Sequence, residues 1–201
     1  MRKPNNWDSA PARAKSGKET IPAGGHGCII INAETITENW SGVPEDKLYI
    51  EIEIDEGTEL DGFYERKLDY KRKYDDKAKW PGWYKTSIYS KDGNGDTDYR
   101  FKGLIRAIEK SNPDFTFEFD DSSEASLIGK RVGFVFRDEP FVASTTGQVV
   151  HYIKPAWPCS YDEAADQPIP EPKAVRGESI EKSPSPDLQH MVEDNEEPLP
   201  F

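Results

Sequence analysis

Aromatic rings and cations alternate densely between Phe63 and Tyr89. The rings are Phe63, Tyr64, Tyr70, Tyr74, Trp80, Trp83, Tyr84 and Tyr89, and among them stand Arg66, Lys67, Lys71, Arg72, Lys73, Lys77, Lys79 and Lys85. Flat rings stack on unpaired bases and cations follow phosphates, so this mixture suits a single strand of nucleic acid held without strong sequence preference. One stacked base is worth about 1–3 kcal/mol. The candidate contacts here are Tyr64, Arg66, Lys67, Tyr70, Lys71, Arg72, Lys73, Trp80, Trp83, Tyr84 and Lys85. Some of the rings are equally suited to a core, because a small barrel needs large side chains inside. The lysines between them are hard to bury, so the cluster as a whole is expected to face a ligand.

Other chemistries fit less well. Asp92-Gly93-Asn94-Gly95-Asp96-Thr97-Asp98 spaces oxygen ligands like a calcium loop. Thr97 stands where that loop needs glycine and Gly103 where it needs a bidentate glutamate, so a turn and a helix cap explain the segment better. Glu51, Glu53 and Asp55 alternate on what reads as the polar face of a strand, with no lysine at a spacing that suits a nuclease. His26, His151 and His190 are scattered. No nucleophile or phosphate-loop motif is present. No catalytic residue, metal site or cofactor is expected.

Elements that could position the cluster are readable from periodicity. Cys28 to Thr37 is rich in β-branched residues and reads as a first strand. In Lys47 to Asp55, Leu48, Ile50, Ile52 and Ile54 alternate with Tyr49, Glu51 and Glu53, a half-buried second strand. Phe63 to Lys71 reads as a third strand, with Tyr64, Arg66 and Tyr70 on one face. Tyr99 to Lys110 predicts a helix: Phe101, Leu104, Ile105 and Ile108 form one stripe, Asp96 or Asp98 caps the start, and Asn112-Pro113 ends it. Phe115 to Phe119 alternates briefly. Lys130 to Arg137 and Gln148 to Lys154 complete the set as fourth and fifth strands. Three strands, a helix and two strands is the order of a five-stranded OB-fold barrel, mainly β, with its helix between strands three and four. Trp40 and Phe141 fall in the loops that flank the binding groove of such a barrel, and join the candidate DNA contacts.

Charge is distributed unevenly. The net charge is −12, with 35% hydrophobic and 32% charged residues. Asp162 to Phe201 carries 11 acidic and 3 basic residues, whereas Arg66 to Lys85 carries 8 basic and 3 acidic. The expected division is a flexible basic arm over residues 1–20, a folded domain over 21–160 and a disordered acidic tail over 161–201. The tail is rich in proline and acids, including Ser183-Pro184-Ser185-Pro186, and poor in groups that offset ordering entropy. The longest aliphatic run, Ile29 to Ile31, cannot span a bilayer, and Met1 to Trp7 has no apolar secretion core. Cys28 and Cys159 are too few for a disulfide scaffold. A cytoplasmic protein is expected.

The chain ends Met191-Val192-Glu193-Asp194-Asn195-Glu196-Glu197-Pro198-Leu199-Pro200-Phe201. This end resembles the tip of bacterial and phage single-stranded DNA-binding proteins, where an acidic run closes in Pro-Phe. In that family the terminal ring fills an apolar pocket on a partner, and the acids meet basic residues around it. The resemblance implies a partner-binding segment of Glu193, Asp194, Glu196, Glu197, Pro198, Leu199, Pro200 and Phe201. Leu199 stands where isoleucine is usual, and Pro198 replaces a common acid. The body is similar to phage-encoded members from Gram-positive hosts, on Ile21-Pro22-Ala23-Gly24-Gly25, Lys79-Trp80-Pro81-Gly82, Arg100-Phe101-Lys102-Gly103 and Leu127-Ile128-Gly129-Lys130.

That resemblance implies a protein of the host cytoplasm that coats single-stranded DNA in replication, recombination or repair and recruits replication or recombination proteins. Bacterial members are often multimers of small barrels, so a homo-oligomer is among the expectations, with no interface assignable. Two other readings stay open: a recombination mediator or annealing factor, and an acidic DNA mimic that inhibits a host nuclease.

Overall fold

The computed structural model describes residues 19–39, 42–91 and 94–175. Strand β1 (Gly24–Glu38) is long because it serves two neighbours. Its first part pairs antiparallel with β4 (Arg131–Asp138), and from Cys28 onward it pairs with β2 (Glu45–Ile54). The register with β2 shifts between Ile30 and Asn32, a bulge that bends β1 from one partner toward the other. β2 pairs on its far side with β3 (Trp83–Ser87), and β4 pairs with β7 (Ile153–Cys159). The sheet order is therefore β3-β2-β1-β4-β7. This is a five-stranded antiparallel sheet nearly closed into a barrel, left open where its edge strands β3 and β7 approach each other.

Alternation along β2 sends Leu48, Ile50, Ile52 and Ile54 into the core, where they meet Cys28, Ile30, Val132, Phe134 and Phe136. Helix α2 (Tyr99–Ser111) lies between β3 and β4, as the OB-fold order requires. It buries Phe101, Leu104, Ile105, Ala107 and Ile108, and packs on both edge strands as well as β4. The Asp98 side chain accepts the Arg100 backbone N–H at 2.8 Å, which caps its start. A short helix, α3 (Ser123–Leu127), seats Leu127 in the core. Between β4 and β7 a small hairpin pairs β5 (Phe141–Val142) with β6 (Val149–Val150).

Three expectations need correction. Phe63 to Lys71 is not a strand: helix α1 (Phe63–Arg72) occupies it, and β3 comes later, at Trp83. The alternation of Tyr64, Arg66 and Tyr70 was compatible with a strand, but Phe63, Tyr64 and Leu68 are the buried residues, a helical spacing. Gln148 to Lys154 is likewise not the last strand: it is split between the β5–β6 hairpin and the start of β7. Nor does a free tail begin at residue 161. A 3-10 turn at Tyr161–Glu163 sends the Tyr161 hydroxyl to the Asp55 carbonyl and buries Ala164. Ala164 lies so close to β1 that a Cβ on Gly25 would stand 1.7 Å from its carbonyl oxygen. Farther on, the Lys173 N–H donates to the Asp138 carbonyl at 2.9 Å. Average composition conceals these few anchoring residues.

Candidate nucleic-acid interface

A groove of about 810 Å3 follows the open edge of the barrel. One wall is α1, the loop after it and β3; the other is β7, the end of β4 and Lys173. Eight cations line it (Lys67, Lys71, Lys79, Lys85, Arg100, Arg137, Lys154 and Lys173) against two carboxylates, Asp75 and Glu139. The basic excess sits here although the chain as a whole is acidic.

α1 starts on Gly62 in the left-handed region (φ 70°), with no side chain of its own at the cap. Glu53 of β2 replaces the missing cap, accepting the N–H groups of Tyr64 (2.8 Å) and Glu65 (2.7 Å) as well as that of Ile54 (2.8 Å). Burial pushes the Glu53 carboxyl up, and these backbone hydrogen bonds oppose the shift. Its negative charge lies at the positive end of the helix, where the macrodipole favours it. Glu53 thus holds α1 against the barrel and is not on a solvated strand face.

The helix divides its residues between core and groove. Tyr64 is 4% exposed and Tyr84, on β3, is 8% exposed. The Tyr64 ring covers Gly82, where a Cβ would come within 2.3 Å of it, and Tyr84 packs on Phe134 with ring centroids 4.9 Å apart. Both are core, forming the floor of the groove and not its stacking surface. Tyr70 is 61% exposed beside Tyr74 at 5.5 Å. Trp83, 39% exposed, has one side stacked on Tyr49 at 6.0 Å. Trp80 is half-buried and fixed by an indole N–H donated to the Ile52 carbonyl at 2.9 Å.

Lys67, Lys71 and Lys79 have no carboxylate within ion-pair distance among the described residues. Desolvation, then the neighbouring Lys71 charge, pulls the Lys67 ammonium below its usual value although much of the side chain is exposed. Such a group gains from a phosphate nearby. Lys85 instead pairs with Glu38 and lies 6.0 Å over the Trp83 ring.

Other expected contacts sit elsewhere. Arg66 pairs with Glu19 and donates to the Asp61 and Glu59 carbonyls, which turns it to the loop before α1. Arg72 lines a separate shallow recess with Glu34, Tyr49 and Glu51. Lys73 is the C-cap residue of α1 and does not line the groove. Phe141, 39% exposed, stands in the β5–β6 hairpin, also away from the groove lining. Trp40 and the whole tip, Glu193 to Phe201, lie outside the described residues.

The β7 wall went unread in the sequence. Arg137, Tyr152, Lys154 and Lys173 line the groove there, Arg100 of α2 joins them, and Tyr152 is 41% exposed. Tyr152 and Lys154 fall within the alternating Gln148 to Lys154 segment, a signal that could have marked them. Arg137 and Lys173 gave none. Among the described residues no group of three or more His, Cys, Asp and Glu side chains could hold a metal ion, and no helix is long and apolar enough to cross a membrane. No protein-family model matches the chain, and no curated protein matches it.

Proposed function

We propose that the protein binds single-stranded DNA in the groove along the open barrel edge. The observation that carries the reading is one wall bearing both exposed rings, Tyr70, Tyr74 and Trp83, and three cations without carboxylate partners among the described residues, Lys67, Lys71 and Lys79. Bases stack on the former and phosphates follow the latter. In this reading the protein coats exposed strands during phage DNA replication or recombination, and the acidic segment ending in Pro200-Phe201 recruits partner proteins.

Titration of an oligothymidylate of roughly 16 nucleotides, followed by tryptophan quenching over a salt series, tests it. Each phosphate contact contributes about 0.7 to the steepness of log affinity against log salt, so three lysines predict a slope of about −2 or steeper. No binding at low salt would sink the proposal. A variant lacking residues 193–201 is expected to keep DNA binding, with higher affinity at low salt, and to lose capture of replication or recombination proteins. Unchanged capture would remove the tip from the reading.

A further inference from the structure

We propose that Arg137, Lys154 and Lys173, gathered by the Glu139 carboxylate, form a second phosphate-binding wall, so that a DNA strand is gripped from both sides of the open barrel edge. This rests on the groove being the DNA site, and adds to it a site on the opposite wall.

Glu139 is 9% exposed and lies at the bottom of the cluster. Its Oε1 accepts Arg137 Nη2 at 3.2 Å and Lys173 Nζ, and its Oε2 accepts Lys154 Nζ at 2.7 Å. All three cations are more exposed than the carboxylate, with side-chain values of 25%, 33% and 44% for Arg137, Lys154 and Lys173. Three positive charges therefore face one negative charge from the solvent side. Asp138 lies next door with His151 at 2.5 Å from its Oδ2, and counting its carboxylate still leaves a positive excess.

An ammonium has three donors and a guanidinium five, so one carboxylate cannot saturate this set. The buried Arg137 Nε has no hydrogen-bond partner among the described residues. Burial alone would raise the Glu139 carboxyl, but hydrogen bonds from Lys154 and Lys173 bring it down to about 2, so it stays charged and keeps the cations in place at neutral pH. Cations already ordered lose less conformational freedom when a phosphate arrives.

The cluster also ties Lys173 and the β7 wall together, and a purely structural clamp would have no effect on DNA binding. The salt slope separates the two roles. K154Q/K173Q leaves Arg137 on Glu139, and is expected to make the slope for the same oligothymidylate shallower by about 1.4. Tryptophan quenching at saturation should be unchanged, because the two tryptophans that line the groove, Trp80 and Trp83, stand on the other wall. K154R/K173R should restore the slope, and K110Q, whose lysine pairs with Glu163 outside the groove, should not alter it. If circular dichroism shows the double variant unfolded, K154Q and K173Q singly should each change the slope by about 0.7. Wild-type binding with an unchanged slope in folded variants overturns the second wall and spares the DNA site. Absence of wild-type binding overturns both.

Discussion

Helices α1 and α2 are similar in length and opposite in use. α2 buries five apolar residues along one stripe and carries its own cap in Asp98. α1 buries only Phe63, Tyr64 and Leu68, and takes its cap from Glu53 on another strand. Of the residues α1 does not bury, Lys67, Tyr70 and Lys71 face the groove. A helix that completes a core needs a wide apolar stripe, whereas one that builds a binding wall is held by a narrow seam and a distant anchor. Under the proposed function, the comparison separates the two roles, with stability concentrated in α2 and the exposed rings of the groove on α1 and β3.

The sharpest way to break that contrast is to damage α2. Leu104→Ala removes a fully buried side chain and should cost about 2–5 kcal/mol of stability in urea denaturation followed by circular dichroism. DNA affinity of the protein that remains folded should not change; a parallel loss would show that the packing of α2, beyond its Arg100, shapes the groove. On α1, Tyr70→Ala should do the reverse. It should cost about 1–3 kcal/mol of oligothymidylate binding if the ring stacks on a base, with stability moved by no more than about 0.5 kcal/mol. An unchanged affinity would take Tyr70 out of the interface.

The same contrast governs what the sequence could reveal. Phe101, Leu104, Ile105 and Ile108 with Asp98 announce α2 because stripe and cap are both local. The alternating Leu48, Ile50, Ile52 and Ile54 announce β2 for the same reason. α1 has the local pattern of a strand because its cap is Glu53, eleven residues before Tyr64 and on a different element. With so few buried positions, Tyr64, Arg66 and Tyr70 satisfied a period of two as well as their true one. Burial of Tyr64 and Tyr84 depends on Gly82 and Phe134 lying above and below them, which no local pattern encodes. The β7 wall was harder still, since Arg137 and Lys154 meet by pairing of β4 with β7, and Lys173 joins them through Glu139. Spacing gave the barrel order; composition marked the segment that carries α1 without its helix, and the β7 wall depends on tertiary pairing.

A smaller effect tests how α1 is anchored. Glu53→Ala leaves the Tyr64 and Glu65 N–H groups without their acceptor and should cost about 0.5–2 kcal/mol, the range for a lost helix cap. Hydrogen exchange should quicken in α1 while α2 stays protected. If both helices exchange faster together, α1 is not a separate unit and the contrast fails.

The subtlest expectation is that the two caps respond to acid with opposite sign. Burial raises the Glu53 carboxyl above the ordinary glutamate value of 4.5 in the folded protein. Its contribution is fully present below that value and is lost as pH rises through the folded one, because the folded state holds the proton more tightly. Asp98 is lowered below the ordinary aspartate value of 3.8, chiefly by the Arg100 side chain. Its contribution is present above 3.8 and is lost as pH falls through the folded value. Urea midpoints measured across acid pH for E53Q and D98N read each term by difference from the wild type. On acidification from neutral, the wild type should gain relative to E53Q as the ordinary glutamate range is approached. Below the aspartate range it should lose relative to D98N. Two differences of the same sign would mean that Glu53 is held by its hydrogen bonds more than it is penalised by burial, and α1 would then be anchored as firmly as α2.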